Sequence, residues 1–339
     1  MFSQNTTIPH HDGLITSMKP NKTFTLLAIG TNYGKINIYK ITNTTTLTFL
    51  EQISNHSRSI TSISFSSKNH LAFSDTQNNL TILTPIDQSN PSLSPFQISS
   101  FPKATTYIHN THLTFPHSIT SLDFSTLNKE EHLICTTSNA SIKLFKYKET
   151  SSSSSLNSFT WKEIKTITTT QTLQYTALAV SPYISKNNEY IFEIIVGSKE
   201  GYWVLYGIES NYNGKEIYTV KNDYKGICSV AWMNSPIRCS DVIAIGNANG
   251  IVEIYKRNTL SVNEWVNTAK IQVNSLNDLS KEVKVSFSYM GTYLLICNSD
   301  NKVLIYEEDY DDTWHKLDAL SDNATSSSNI PINEIKAQK

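Results

Sequence analysis

Apolar and polar residues alternate with a period of two along most of the chain. The alternation comes in short runs that end in an aromatic residue or a leucine. Six runs read as one repeated strand: GKINIYK (34–40), NNLTILT (78–84), ASIKLFK (140–146), GYWVLYG (201–207), GIVEIYK (250–256) and NKVLIYE (301–307). A period of two puts successive side chains on opposite faces of an extended strand. With Tyr39, Leu83, Phe145, Tyr206, Tyr255 and Tyr306 as reference positions, the intervals are 44, 62, 61, 49 and 51 residues.

An apolar strand ending in small residues precedes each run: LLAIGTNYG, LAFSDTQNN, LICTTSNAS, IIVGSKEG, IAIGNANG and LLICNSDNK. Gly and Asn at those ends supply the positive φ that short hairpins need. A further strand comes earlier in each unit: LITSM, SITSISF, SITSLDF, TALAVSP, ICSVAWM and VKVSFSY. A fourth follows, opened by Trp161, Trp265 and Trp314 in WKEIKTI, WVNTAKI and WHKL. Repeat spacing near or somewhat above the ~40–45 residues of a WD-repeat blade, with four strands per unit, predicts an all-β, WD-repeat-like β-propeller of six blades. Amphipathic helical stretches are nearly absent, and β-branched residues are frequent in the runs, which fits that class.

Residues 1–317 are expected to form one propeller domain. Three segments break its regularity. Residues 84–117 carry five prolines and should hold the outer strand of the second blade, around PFQISSF, with a surface loop. Residues 148–158, KETSSSSSLNS, predict a flexible loop between the last two strands of the third blade. The polar segment 318–339 predicts a disordered tail.

Charge narrows the function classes. Lys and Arg number 28 against 29 Asp and Glu, a net charge of −1. No global basic field exists to hold a nucleic-acid backbone, so direct nucleic-acid binding is not expected. The longest apolar stretches, such as TLLAI and IFEIIV, are far shorter than the ~18 residues of a membrane span, and no transmembrane segment is expected. Cys135, Cys228, Cys239 and Cys297 are scattered without a CxxC pair, which predicts reduced thiols in a soluble, intracellular protein and no metal site.

Catalytic constellations are not visible. GTNYGK (30–35) lacks the Gly-Lys-Ser/Thr ending of a phosphate loop and leads into a strand. EEDYDD (307–312) lacks the spacing of a calcium loop and reads as a solvated turn. His10, His11, His56 and His117 stand shortly before first strands and read as structural. No nucleophile pairs with a base at a recognisable spacing, so neither an enzyme nor a cofactor is expected.

A propeller closes when its last blade packs on its first. The first blade begins about fourteen residues into the sequence, so six blades either close on themselves or leave apolar flanks at blades one and six for a partner.

The order of HHDGLITSM, LLAIGTNYGKINIYKI, SFTWKEIKTITTTQTLQYTALAVSPY, KGICSVAWMNSPIRCSDVIAIGNANGIVEIYK and VKVSFSYMGTYLLICNSDNKVLIYEEDYDDTWHKL, over roughly residues 10–317, resembles the Seh-type nucleoporins and the related Sec-thirteen-type coat proteins. The Trp161 strand and the loop before it fit the Seh type better. Asn, Ser and Thr replace many motif positions, and the Trp-Asp dipeptides are missing.

The resemblance implies an open six-bladed propeller completed in trans by a blade from a helical scaffold nucleoporin. It further implies a place among the other subunits of the Y-shaped outer ring of the nuclear pore, at the nuclear envelope. In fungi it implies a second place in a vacuole-associated complex that regulates TOR signalling. On that footing Leu14, Ile15 and Met18 in blade one, and Val283, Val285 and Phe287 in blade six, are the expected walls around the inserted blade. Ordinary packing between blades would use the same residues. Two other classes remain: a subunit of a secretory vesicle coat, and a closed propeller that binds peptides on its top face.

Overall fold

The computed structural model describes residues 13–317, apart from 44–45, 55–57, 86–106, 128–129, 151–157, 169–172, 183–188, 223–225, 235–239, 259–263, 274–281, 289, 299–302 and 310–312. Among these residues there are 24 strands and no helix. They form six antiparallel four-stranded sheets. Blade one is β1 (Ile15–Pro20), β2 (Leu26–Thr31), β3 (Ile36–Asn43) and β4 (Thr46–Ile53). Blade two follows with β5 (Ile60–Phe65), β6 (Leu71–Asp75), β7 (Asn79–Pro85) and β8 (Tyr107–Thr114). β9 (Ile119–Leu127), β10 (Glu130–Thr137), β11 (Ser141–Thr150) and β12 (Ser158–Thr168) make blade three. In blade four these are β13 (Tyr175–Val180), β14 (Phe192–Ser198), β15 (Tyr202–Ile208) and β16 (Gly214–Lys221). Blade five comprises β17 (Ile227–Trp232), β18 (Ser240–Asn247), β19 (Ile251–Asn258) and β20 (Val266–Gln272). Blade six ends the ring with β21 (Val283–Phe287), β22 (Tyr293–Asn298), β23 (Val303–Glu308) and the short β24 (Trp314–Lys316).

The expected six-bladed, four-stranded propeller is therefore the fold. One element sits elsewhere than expected. The outer strand of blade two is YIHNTHLT, and PFQISSF lies outside the described residues. Tyr107, in this strand, is buried against blade one. The strands of the β11–β12 hairpin run on to Thr150 and from Ser158, so the ends of the expected 148–158 loop are strand and its middle lies outside the described residues. The 318–339 tail lies outside them as well.

Local chemistry sets each hairpin. The turns between second and third strands place Gly34, Asn78, Ala140, Gly201 and Gly250 at positive φ, from 60° to 87°. A polar residue closes several of these turns. Asp75 accepts the amides of Gln77 and Asn79, and Asn247 accepts those of Asn249 and Ile251. Two bulges recur. One interrupts the first strand in blades one to five, beside Thr16, Thr61, Thr120, Thr176 and Cys228. The other falls where the third strand reaches Tyr39, Leu83, Phe145, Tyr206 and Tyr255. Each bulge twists its strand and re-aims the following side chain, here toward the preceding blade.

The core lies between blades. Five clusters join one to two, two to three, three to four, four to five and five to six. In each, the first strand of the later blade drives three side chains into the earlier one: Ile60, Ile63 and Phe65; Ile119, Leu122 and Phe124; Tyr175, Leu178 and Val180; Ile227, Val230 and Trp232; Val283, Val285 and Phe287. The earlier blade makes room with small residues. A methyl on Gly30 would sit 2.7 Å from Ile60, and one on Gly246 would sit 2.8 Å from the Val283 carbonyl oxygen.

Buried polar ties reinforce the seams. Arg257 of blade five donates to Glu193 of blade four at 2.7 Å and to Asp241 at 2.6 Å, with its guanidinium over the Trp265 ring. His70 Nδ1 lies 2.5 Å from Glu131 across blades two and three. Burial alone would raise the Glu131 carboxyl. It is outweighed by His70, the Ser67 hydroxyl and the Lys68 amide, which together hold it at about 2. His132 goes down to about 4 because burial and then the Lys146 charge oppose its protonation. Its Nε2 meets the Tyr212 hydroxyl at 3.2 Å, and its Nδ1 has no hydrogen-bond partner among the described residues.

Gly250→Ala should cost about 1 kcal/mol through its positive φ alone. Gly246→Ala, whose added carbon meets backbone of the next blade, should cost roughly 2 kcal/mol or more in urea unfolding. The acid limb should fall in two stages. Above pH 6.5, the ordinary histidine value, His132 is neutral in both states; between 6.5 and about 4 only the unfolded chain takes up the proton, so stability declines. Glu131 has a depressed folded value, so its contribution is present above 4.5 and is lost as pH falls toward about 2. His132→Phe should flatten the upper stage and Glu131→Gln the lower, and unfolding free energy measured against pH checks both.

Candidate partner-binding interface

The first-strand triad of blade one is Ile15, Met18 and Pro20, with the same spacing around the same bulge as the triads that bury themselves in blades one to four. Its members face the side where a blade preceding blade one would stand. Ile15 is 40% and Met18 53% exposed, whereas Ile119 and Leu122 at the equivalent places are 2% and 4% exposed. Leu14, at the entry to β1, is 74% exposed, and its amide is held by the Asn32 side chain at 2.8 Å. Deeper on this face, Ile29 and Tyr39 are buried, and Tyr39 meets Phe49 edge-on at 5.7 Å. Tyr39 occupies the position that in blades two to six packs into the preceding blade. Among the described residues no core cluster joins blade six to blade one.

The six side chains expected at this opening divide between two places. Leu14, Ile15 and Met18 stand at the blade-one wall. Val283, Val285 and Phe287 turn to blade five, where Val283 is fully buried and all three join the shared core. Strand parity is the reason. The register pairs Lys284 with Cys297 and Ser286 with Leu295, then Cys297 with Val303 and Leu295 with Ile305. Paired residues share a face, so the wall of blade six that looks away from blade five is Lys284, Ser286, Leu295, Cys297, Val303 and Ile305. All six are exposed or half-buried.

The sequence carried a signal for that wall. YLLICN and KVLIYE are apolar at both parities, the pattern of strands meant to be covered on both faces. The buried polar groups His70 and Glu131 gave no such signal, because their pairing joins positions sixty-one residues apart. Among the other histidines, His117 is exposed before β9, and His10, His11 and His56 lie outside the described residues.

The exposed apolar residues of blade one suit contact with another surface. Burial pushes the Cys135 thiol up to about 12 and the Cys228 thiol up to about 11, away from the thiolate a nucleophile needs. Among the described residues no group of three His, Cys, Asp or Glu could hold a metal ion. Blade one and the outward side of blade six each carry partly exposed apolar residues on a sheet face that no core cluster covers among the described residues.

No protein-family model matches the chain, and no curated protein matches it in sequence. Among solved structures it is similar to the β-propeller domain of Cps50 (Swd1) from Myceliophteria thermophila. The two share 13% identity with a TM-score of 0.64, over 92% of this chain and 88% of that one. At that identity the likeness shows the fold, an all-β propeller.

The contrast between equivalent positions is measurable. Met18→Asp in the isolated chain should change unfolding free energy by no more than about 0.5 kcal/mol, as at an exposed site. Leu122→Asp, the same strand position in blade three, buries an unpaired charge and should cost roughly 4 kcal/mol or more, or prevent folding. Urea unfolding of the two variants side by side checks the claim.

Proposed function

We propose that the protein is a non-enzymatic scaffold subunit: an open six-bladed propeller completed in trans by a blade from a helical partner. The observation that carries the reading is the exposure of Ile15 and Met18, at 40% and 53%, in the triad that every later blade buries in its predecessor. A ring built on one repeated junction, with that junction unmade at one seam, is the form expected of a subunit whose last contact belongs to another chain. The motif order resembling the Seh-type nucleoporins directs the proposal to the Y-shaped outer ring of the nuclear pore, at the nuclear envelope. A second place in a vacuole-associated TOR-regulating complex is part of the same proposal. The role is architectural support of nucleocytoplasmic transport, without direct nucleic-acid contact.

The test is purification of the tagged full chain from native cells at near-physiological salt, with stoichiometry of what co-elutes. Equimolar recovery of helical outer-ring nucleoporins is expected. That recovery should be lost in an Ile15→Asp, Met18→Asp double variant whose isolated fold is intact. Equimolar vesicle-coat subunits would move the protein to the coat branch. Recovery as a stable monomer would overturn completion in trans and leave the closed peptide-binding propeller.

A further inference from the structure

The internal junctions specify what an incoming blade must present. At each one the earlier blade sets a pair of small residues on its two inner strands, just past the bulge: Ser17 with Gly30, Ser62 with Ser74, Ser121 with Thr136, Ala177 with Gly197, and Ser229 with Gly246. The leading residue of the next blade fits against this pair. Added carbons at Gly30, Gly197 and Gly246 would collide with Ile60, Ile227 and Val283 respectively. The serine does more than leave room. Ser62 Oγ accepts the amide of Leu122 at 3.2 Å, and Ser229 Oγ accepts that of Val285 at 3.1 Å. Both donors belong to the middle residue of the next triad.

Blade six does not repeat this device. Lys284 and Cys297 stand where the small pair should be, and the first strand of blade six has no bulge. Lys284 is exposed and reaches back to the Cys228 carbonyl at 3.2 Å. So blade six offers no socket for a leading isoleucine, while blade one projects a leading Ile15 and a middle Met18 with no socket among the described residues to receive them.

We propose that the partner's blade enters in the same rotational sense as the chain's own blades and supplies the missing socket. On its two inner strands it carries a Ser or Ala paired with a Gly, Ser or Thr, which receives Ile15, and a serine there accepts the Met18 amide. On its opposite face its leading residue is small, because Lys284 and Cys297 fill the place an isoleucine would take. The inference rests on the reading that the ring is completed in trans, and continuity with the five internal junctions, each receiving its leading residue against a small pair, carries it. The apolar rows Leu295–Ile305 and Cys297–Val303 serve as a flatter second wall.

The experiment uses the full chain and the subunit that co-purifies with it in equimolar amount. A photo-crosslinking benzoylphenylalanine at position 15 reports which partner residues face it. In parallel, Ile15→Val and Ile15→Trp are compared in affinity for that subunit. Ile15 is 40% exposed, so both variants should leave the melting of the isolated chain unchanged. The expected result is a crosslink within a hairpin whose facing pair is drawn from Gly, Ser, Ala and Thr, near-parental binding by the valine variant, and a loss of about tenfold or more for tryptophan, which overfills the socket. A crosslink to a bulky pair, or a tryptophan variant that binds like the parent, overturns the socket while completion in trans stands. Capture of the subunit through other faces, with no crosslink from position 15, overturns both.

Discussion

The junction between one blade and the next is the contact on which the whole molecule depends. A four-stranded sheet of this length has two apolar faces and cannot bury either alone. Each blade solves the problem by driving three side chains of its innermost strand into its predecessor, where glycine, serine or threonine leave the space. The cost of a misfit is steep because the contact is partly with backbone. A single methyl at Gly246 would press on the Val283 carbonyl oxygen rather than on a side chain that can rotate away. Stability thus accumulates junction by junction, as in other repeat architectures.

The bulges explain how a period-two strand serves that contact. Without a bulge, residues two apart share a face. With one extra residue beside Thr16, Thr61, Thr120, Thr176 and Cys228, the triad is respaced to three and then two. Hydroxyls at four of these places reach across to the second strand. Thr16 donates to the Gly30 carbonyl at 3.2 Å and Thr176 to the Gly197 carbonyl at 3.1 Å, while Thr61 and Thr120 pair with the Ser74 and Thr136 hydroxyls at 2.7 and 2.9 Å. The repeated ITS seen in the sequence is the bulge residue flanked by a leading isoleucine and a socket serine. Its recurrence therefore has a mechanical origin.

This is also where reading from sequence succeeded and where it stopped. The reference strands, the hairpin turns and the number of blades follow from local periodicity and from residues that tolerate positive φ, so they were legible without the fold. The outer strand of blade two was misplaced because the proline-rich stretch before it resembled a strand as closely as YIHNTHLT did, where Tyr107 is buried against blade one. The walls of the opening were half legible. Ile15 and Met18 are visible as a triad by analogy. Which face of β21 meets blade five depends on the sense of the ring, and that is a long-range property. Two parities of apolar residues in β22 and β23 were the available clue.

The unequal walls have a consequence for assembly. Under the proposed completion in trans, blade one presents knobs and blade six a flatter surface with a lysine at its inner edge, so the two walls of the proposed opening differ. A blade that matched only apolar area could enter facing either way, and in one of the two orientations Ile15 would meet no socket. Requiring small residues on one face of the incoming sheet, and only there, makes the two orientations differ by the cost of overpacking a leading isoleucine. Specificity of this kind comes from what the wrong arrangement is denied, and it needs no charged pair or buried network at the seam. Polar ties such as Arg257 with Glu193 and His70 with Glu131 lie at internal seams that fold with the chain. There their desolvation is met once, during folding, instead of at each encounter with a partner.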